Sequence, residues 1–518
     1  MWFRTFVAWT VRHERWLACA IVAYAVVHCV GRAQREFWFD ELFTFYISRL
    51  PNLDQIFRAI SADGNPPLYY LLAHLSMRLM GETELATRFP AILAFAAGAL
   101  GTYSFVRRRC GAIPALFALF AVATASAKTY GSEARPYTLL MAFSVLTLVS
   151  WQAATEERRS RFFPLAGMAL GIAGAIASHH YGIFHVAIPL ALGEATRLVR
   201  RRKLDLPLYG ACVLGASMLI VTAPLMRETN LVLLNYIRES PTFYGRPRIA
   251  SLESYMLMVN RRLLVVFFAL LLLTWPLFSA VSHEPERKGI PAHEVAAAIG
   301  LALLVPIMIG ITWIATGYYQ PRYAIGTTIG IAILLGFAAQ RLGRNASHGV
   351  SMALLCLVLL SVHYIGADAN ALIDRLFGQP QPVADASGGS VLDSAPGREP
   401  IVFASPVFYL PAWWYATPAV RERLYYLSDL SFAIRQKDPL PELSLAANQA
   451  IVPSRVEDYR TFLTTHRKFL LYCKGNQGSY CWELDNWIRD RLLSEGWTVR
   501  PFVMRDDEAL FMVEFPTR

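Results

Sequence analysis

Long apolar segments recur along most of this chain, and they constrain its fold more than any other feature. A helix needs roughly 20 apolar residues to cross a hydrocarbon core of about 30 Å. The 518 residues are 55% hydrophobic and 17% charged, which is more apolar material than one soluble core needs. The pattern therefore predicts a polytopic α-helical membrane protein. Its eleven predicted spans are residues 16–31, 86–106, 112–127, 136–152, 162–178, 183–198, 206–226, 263–281, 295–316, 323–340 and 349–366.

The basic residues act as topology signals. The net charge is +11, but Lys and Arg occur mainly in short runs between apolar segments, where they mark membrane orientation and contact lipid headgroups. This distribution argues against nucleic-acid binding. Residues 16–31 follow three arginines, and no small-residue cleavage site comes after them, so we expect an uncleaved first helix rather than a signal peptide.

One shorter apolar run, Pro66–Met80, decides the orientation of everything after it. If it spans, four later basic clusters fall outside the cell; if it lies flat on the outer surface, all four fall in the cytoplasm, as the positive-inside rule requires. The clusters are Arg107–Arg109, Arg158–Arg161, Arg200–Lys203 and the pair Arg341 and Arg344. We therefore predict a bacterial inner-membrane protein with a cytoplasmic N-terminus and a periplasmic C-terminus.

Composition predicts three regions. Residues 1–366 form the transmembrane domain, with a long outer loop at 32–85, and residues 367–400 form a linker rich in Pro, Gly, Ser and Asp. Residues 401–518 then alternate predicted strands, 401–408 and 468–473, with predicted helices, 455–466 and 486–495. This alternation predicts a small periplasmic α/β domain.

Two of the seven cysteines, Cys473 and Cys481, lie in this C-terminal domain, on either side of a turn-forming stretch. In an oxidising compartment we expect them to form a disulfide. A zinc site is the weaker alternative, because the paired CxxC pattern is missing. The other five cysteines lie in or beside predicted membrane helices, where a small buried apolar role is expected.

An acidic pair lies just outside the first helix, in the run Phe37–Thr44. Asp40 and Glu41 sit among aromatic residues at the expected bilayer surface, where carboxylates are costly to desolvate unless they pair with a cation, bind a metal or carry out acid–base chemistry. The structural alternative is a solvated dipeptide that caps a short helix starting near Glu41.

Two further outer loops combine cations with tyrosines. The first contributes Lys128, Glu133, Arg135 and Tyr137; the second contributes Arg322 and Tyr323. Arg makes bidentate contacts with phosphate, and Tyr can line a lipid groove and donate a hydrogen bond. The alternative is the aromatic belt with snorkelling cations found at many membrane interfaces.

A histidine pair occupies another outer turn. His179 and His180 can supply a metal ligand or a hydrogen bond to a sugar, or can simply be hydrogen-bonded at a partly wet interface.

Together these motifs resemble the GT-C glycosyltransferases, and most closely the protein O-mannosyltransferase and aminoarabinose transferase group, families 39 and 83. The similarity is clear from Trp38 to Tyr137 and weaker as far as Tyr323. The C-terminal domain resembles the periplasmic domain of bacterial members only in position and size. The motifs are the acidic pair, Gly64–Tyr70, Ala86–Pro90 and Ser132–Tyr137.

The resemblance implies roles for particular residues. Asp40 matches the first-loop acid implicated in transfer, with Glu41 beside it, and Glu133 matches a second acid. Arg322 and Tyr323 match a basic and aromatic pair. The chain departs from the aminoarabinose transferase at residues 64 and 65, where Gly and Asn replace Glu and Lys, so that enzyme's metal and phosphate contacts there are not carried over.

The implied reaction is an inverting displacement on a polyprenyl-phosphate-linked sugar, with Asp40 as general base. Arg135, Arg322 and Lys128 would hold the phosphate, with Tyr137, Tyr323 and His180 also in the substrate site. The acceptor would be a glycan, a glycolipid or a protein. A divalent metal ion remains open, with Glu41, His179 and His180 as candidate ligands.

Two rival classes remain. A polyprenyl-lipid or small-molecule transporter or flippase would carry mid-bilayer charges and an internal repeat, and the sequence has neither. A non-catalytic envelope assembly protein is the other alternative.

Overall fold

The computed structural model shows a helical chain that ends in a small sheet domain. The described residues are 2–63, 65–156, 160–239, 245–277, 289–342, 346–377, 391–392, 395, 397–432, 440–474, 486–505 and 508–515.

The chain divides into two compact units. The first comprises Met1–Arg35, Ser48–Asn230 and Gly245–Ala369. The second comprises Glu36–Ile47, Leu231–Tyr244 and Asn370–Arg518. The segment that carries the acidic pair, Glu36–Ile47, therefore belongs to the same unit as the C-terminal domain.

Eighteen α-helices precede the C-terminal domain among the described residues. In chain order they are α1 (Trp2–Arg12), α2 (Glu14–Arg32), α3 (Phe39–Ser48), α4 (Leu53–Asp63), α5 (Leu68–Met80), α6 (Glu84–Cys110), α7 (Ala112–Thr124), α8 (Tyr137–Ala154), α9 (Phe162–Ser178), α10 (Gly182–Arg201), α11 (Leu206–Ala216), α12 (Met218–Glu239), α13 (Tyr255–Met258), α14 (Arg261–Leu273), α15 (Ala292–Ala302), α16 (Leu304–Ala315), α17 (Gly326–Arg341) and α18 (Ala346–Phe377). Short 3-10 helices cover Ser126–Ser132, Ile249–Ser254, Trp275–Leu277 and Pro321–Ala324.

These helices confirm a polytopic membrane protein. Within the described ranges, six helices are long and apolar enough to cross a bilayer, and nine spans result if each sharply bent pair counts as one. The bent pairs are α7 with Ser126–Ser132, at 65°, Ile249–Met258 with α14, at 80°, and α15 with α16, at 54°. Each of the eleven predicted segments overlaps a helix, while the count of eleven spans stays a prediction.

Helix α5 covers the ambiguous run before Met80. Its 13 residues extend about 20 Å, less than the hydrocarbon thickness. Tyr69 near its start donates to the carbonyl of Thr87, at 3.0 Å, and Ser76, two turns later, donates to the carbonyl of Ala86, at 2.7 Å. Because two distant α5 residues bond adjacent carbonyls, α5 lies across the start of α6. This geometry supports a helix lying at the membrane surface.

Ion pairs join the helix ends that carry the basic clusters. Arg107, at the end of α6, donates to Glu14, at the start of α2, with an N–O distance of 2.7 Å. Arg109 pairs at 2.5 Å with Glu294, a fully buried carboxylate at the start of α15 that also accepts a hydrogen bond from Gln152. The end of α6 therefore lies beside the starts of α2 and α15.

A second set of ion pairs lies beside the end of α10. Arg161 and Arg197 each donate to Asp205, the N-cap of α11, at 2.7 Å. Hence the starts of α9 and α11 and the end of α10 meet at one end of the bundle. Among the predicted clusters, Arg158, Arg159 and Arg344 lie outside the described residues.

The second unit contains a six-stranded sheet. Its strands are β1 (Ile401–Phe403), β2 (Leu424–Ser428), β3 (Val456–Asp458), β4 (Lys468–Lys474), β5 (Thr498–Arg505) and β6 (Glu508–Glu514), in the order β3-β2-β1-β4-β6-β5. Strands β1 to β4 are parallel to their neighbours among themselves, and β6 is antiparallel to both β4 and β5. The described helices are α19 (Pro406–Tyr415), α20 (Pro418–Arg421), Leu440–Ala447, Tyr459–Thr465 and Asn486–Ser494. The predicted α/β domain is confirmed.

Two predicted elements in this domain had wrong bounds. The strand predicted at 401–408 ends at Phe403, because Pro406 begins α19, where the missing N–H of proline costs nothing. The helix predicted at 455–466 begins at Tyr459, because Val456–Asp458 pairs with β2 and Asp458 caps the helix. Cys473 is disulfide-bonded, and its predicted partner Cys481 lies outside the described residues.

Candidate active site

Three chain turns meet at the end of the bundle opposite the ion-paired helix ends. The 3-10 helix Ser126–Ser132 leads into α8, a tight turn joins α9 to α10, and Pro321–Ala324 leads into α17. The α9–α10 turn requires glycine at its last position, because a Cβ on Gly182 would lie 2.0 Å from the carbonyl oxygen of Ala175.

Aromatic rings from all three turns form one cluster. The ring centroid of His179 lies 5.7 Å from that of Tyr137 and 5.3 Å from that of Tyr323. Tyr137 also contacts Tyr130 edge-on at 5.3 Å. Tyr181 packs 4.8 Å from Tyr323. The cluster gives this end of the bundle a partly apolar lining, in which charge interactions are stronger than in water.

Two arginines belong to this cluster. The guanidinium carbon of Arg322 lies 5.6 Å from the Tyr137 ring centroid, a cation–π contact. Arg135 is 8% exposed. Burial holds the pKa of His179 well below its usual value, and the neighbouring His180, His185, Arg135 and Arg322 lower it further. Both arginines therefore act on the same buried imidazole.

Glu133 lies beside these groups but is already paired. Its carboxylate is 4.0 Å from the guanidinium of Arg35, and its side chain is 17% exposed. Burial raises the pKa of Tyr130, the Glu133 carboxylate raises it further, and Arg322 opposes them. Glu133 thus lies between a cation at the end of α2 and the aromatic cluster.

Arg88 explains how Arg35 reaches Glu133. This side chain is fully buried and donates to the backbone carbonyls of Ala33 and Arg35. A buried guanidinium satisfied by carbonyls fixes the chain that leaves α2. The sequence analysis quoted Arg88 only as part of a motif and missed this positioning role.

His180 faces the second histidine. Its ring stacks on that of His179, with centroids 4.3 Å apart. Burial lowers the pKa of His180 to about 4, so the ring is neutral at physiological pH. Its Nδ1 atom is buried without a hydrogen-bond partner in the described part of the chain. A neutral imidazole here can bind a hydroxyl group of a ligand.

Lys128 occupies a different environment. Its ammonium group lies 5.9 Å from the ring centroid of Tyr364 in α18, and its backbone carbonyl accepts a weak bond from the thiol of Cys29. This contact is separate from the rings that surround Arg322.

Asp63 is a polar residue near the site that the sequence analysis missed. Tyr70 donates to its carboxylate, and the amide of Asn65 donates to the same oxygen at 2.7 Å. Burial raises the pKa of Tyr70, Asp63 raises it further, and Arg135 opposes the shift. Arg135 therefore lies near this group. Its sequence signal was the position of Asp63 directly before the Gly64 motif.

The acidic pair lies on α3, in the second unit. Glu41 is fully buried, and its carboxylate accepts the backbone N–H of Trp38 at 3.2 Å, as the third residue of a capping box does. Asp40 is partly exposed. The alternative of a helix-capping dipeptide is correct for Glu41, but this carboxylate is not solvated.

Seven predicted site residues lie together at one end of the first unit: Glu133, Arg135, Tyr137, His179, His180, Arg322 and Tyr323. Lys128 is separate, and Asp40 and Glu41 belong to the second unit. Among the described residues, no three His, Cys, Asp or Glu side chains are grouped to hold a metal ion, so metal binding by Glu41, His179 or His180 stays a prediction.

Comparison with known proteins agrees with this architecture. The crystal structure of ArnT from Cupriavidus metallidurans in the apo state is similar, with a TM-score of 0.55 at 14% sequence identity over 98% of both chains. The structure of the same protein bound to undecaprenyl phosphate gives 0.53 at 16% identity, over 96% of this chain and 97% of that one. Residues 64–226 match the family model described as dolichyl-phosphate-mannose-protein mannosyltransferase. No curated protein sequence matches the chain.

The class of protein follows from these findings. The chain has the fold of ArnT along nearly its whole length, which confirms a GT-C-like helical domain followed by a small α/β domain. The family match and the shared fold together support a membrane glycosyltransferase of GT-C type that uses a polyprenyl-linked donor.

Proposed function

We propose that this protein transfers a sugar from a polyprenyl-phosphate donor to a hydroxyl group of a periplasmic or lipid-linked acceptor, at the bacterial inner membrane. The observation that carries the proposal is the pair of arginines, Arg135 and Arg322, gathered around the buried His179 at one end of the helix bundle. The acceptor is a glycan, a glycolipid or a protein.

The arginines suit a phosphate leaving group. Planar guanidinium groups bind phosphate oxygens in pairs, and the surrounding tyrosine rings lower the local dielectric constant and strengthen that attraction. As the bond from the sugar to phosphate breaks, the phosphate gains negative charge, which preorganised cations stabilise. The ArnT structure with undecaprenyl phosphate supports the same class of ligand.

Asp40 is the proposed general base. It takes the proton of the acceptor hydroxyl while that oxygen attacks the anomeric carbon, and the polyprenyl phosphate leaves with the electron pair of the broken C–O bond. A single displacement inverts the anomeric configuration. Glu41 orients α3 through its bond to Trp38, which leaves Asp40 as the accessible acid of the pair.

The remaining polar groups have supporting roles. His180, neutral and with a buried Nδ1, can accept or donate one hydrogen bond to a sugar hydroxyl. Glu133 is paired with Arg35 and holds the loop that carries Arg135, whose backbone N–H donates to the Glu133 carbonyl at 2.8 Å. Tyr323 and Tyr137 flank the arginines with their ring faces.

Mass spectrometry of envelope glycans and glycolipids tests this proposal. Cells lacking the protein should lose one sugar modification, whose mass identifies the donor sugar and whose position identifies the acceptor. The wild-type chain should restore the modification, and Arg322→Met should not. An unchanged glycan and glycolipid profile in the deletion strain would contradict a transferase, and would favour a transporter or an assembly protein.

A further inference from the structure

The helix that carries the acidic pair is attached to the C-terminal domain. The backbone N–H of Phe37, two residues before α3, donates to the phenol oxygen of Tyr415 at 2.7 Å. Tyr415 is the last residue of α19, the helix that follows β1. A residue of the C-terminal domain therefore fixes the entry to the helix on which Asp40 lies.

A second contact fixes the other face of the same helix. The indole ring of Trp414 packs against the rings of Phe45 and Tyr46, with centroid distances of 5.1 Å and 5.5 Å. Phe45 and Tyr46 are 1% and 2% exposed. Both ends of α3 are thus held by consecutive residues of α19.

The end of α19 is itself anchored within the C-terminal domain. Arg421 donates to the backbone carbonyls of Trp413, Trp414 and Ala416, with N–O distances between 2.7 and 3.0 Å. Its guanidinium also lies 4.9 Å from the Trp413 ring centroid. These bonds satisfy carbonyls that the helix end would otherwise leave open, so the contacting rings are set in one orientation.

We propose that the C-terminal domain positions the proposed catalytic acid, with Tyr415 and Trp414 acting on Asp40 through α3. This inference rests on the proposed function, in which Asp40 is the base. The chain of contacts runs from Arg421 through the end of α19 to Phe37 and Phe45. Proton transfer depends steeply on geometry, so a small shift of α3 should lower turnover more than it lowers stability.

Tyr415→Phe removes the bond to Phe37 and keeps the ring. Loss of one such hydrogen bond should reduce kcat about fivefold to tenfold with KM nearly unchanged. Trp414→Leu removes the packing surface as well, and should reduce kcat by about a hundredfold. Tyr472→Phe is the matched control, because its hydroxyl makes a bond of 2.7 Å to Glu508 on the sheet, away from α3. It should keep wild-type transfer.

A double-mutant cycle separates positioning from general damage. Transfer from a labelled polyprenyl-phosphate sugar is measured for Asp40→Asn, Tyr415→Phe and the double variant, all purified as full chains. If Tyr415 acts only through Asp40, the double variant should be no slower than Asp40→Asn. Fully multiplicative losses would overturn the inference, as would wild-type transfer by Tyr415→Phe or an equal loss in Tyr472→Phe.

The same cycle distinguishes the two proposals. Wild-type transfer by Asp40→Asn would remove the base itself, and the positioning role with it. A strong loss in Asp40→Asn with no loss in Tyr415→Phe and Trp414→Leu would leave the base intact and overturn only the positioning role.

Discussion

Replacing Arg322 should separate phosphate binding from folding. In Arg322→Met the side chain keeps its approximate length and loses its charge. The structural cost is the cation–π contact with Tyr137, whose ring centroid is 5.6 Å from the guanidinium carbon. At partly exposed sites such a contact contributes about 0.5 to 1 kcal/mol, so the thermal unfolding midpoint should change by only a few degrees at most.

The effect on transfer should be much larger. A phosphate oxygen about 4 Å from the guanidinium gains about 4 kcal/mol where the effective dielectric constant is about 20. Loss of one preorganised charge that stabilises the transition state typically lowers the rate by about 10² to 10³. We therefore expect kcat/KM of Arg322→Met to fall by that factor. Arg322→Lys keeps the charge without the planar fork, and should lose about tenfold.

The assay is transfer from a polyprenyl-phosphate sugar by purified variants, with release of polyprenyl phosphate measured in parallel. Arg467→Met is the matched control, because Arg467 lies 4.9 Å from the Phe515 ring in the C-terminal domain and makes the same type of contact. It should transfer at the wild-type rate. Transfer within threefold of wild type in Arg322→Met would refute the assignment of Arg322 to the phosphate.

Three further predictions concern topology, stability and pH. Reporter fusions after Arg109 and after Lys203 should both report the cytoplasm; a periplasmic signal at both would refute the orientation. Glu294→Ala should destabilise the purified protein by about 3 kcal/mol in thermal unfolding, because it leaves the buried bonds of Arg109 and Gln152 without their acceptor; a loss below 1 kcal/mol would count against this. Burial lowers the pKa of His180 to about 4, so an unfolded ring binds a proton below about pH 6.5 while the folded ring does not, and stability should fall from pH 6.5 towards 4. His180→Asn should flatten that fall in unfolding midpoints; an unchanged slope would contradict the burial of this ring.

Much of the membrane architecture was predictable from the sequence, because hydropathy and charge report directly on solvation by lipid and water. All eleven apolar segments overlap helices, and the basic clusters described lie at helix ends joined by ion pairs. The bends were not predictable. The break between Thr124 and Ser126 interrupts a continuous apolar run, and nothing in local composition marks it.

The site was predictable in part for the same reason. Arg135, Arg322 and His179 come from distant turns, but each turn joins helices at the same end of the bundle, and alternation of spans places such turns on one side. Arg88 and Asp63 were missed because their importance depends on tertiary partners. Arg88 bonds to carbonyls more than 50 residues away, and Asp63 bonds to Tyr70 only when the chain turns back at Pro66 and Pro67.

The attachment of α3 to the C-terminal domain was also invisible in the sequence. Phe37 and Tyr415 are separated by 378 positions, and the pairing of a backbone N–H with a phenol has no sequence pattern. The aromatic run Phe37–Phe39 indicated a buried environment, which Phe37 and Phe39 have, at 2% and 3% exposure. Its partner could come only from the fold.

The most direct test of the proposed mechanism is transfer by purified Asp40→Asn. The substitution keeps the shape of a partly exposed side chain, so the unfolding midpoint should match wild type. Turnover from a polyprenyl-phosphate sugar should fall by at least about a hundredfold if the carboxylate is the general base, and Glu41→Gln should lose less. Near-wild-type turnover in a thermally unchanged Asp40→Asn would contradict the mechanism, and Glu133 would become the next candidate for the base.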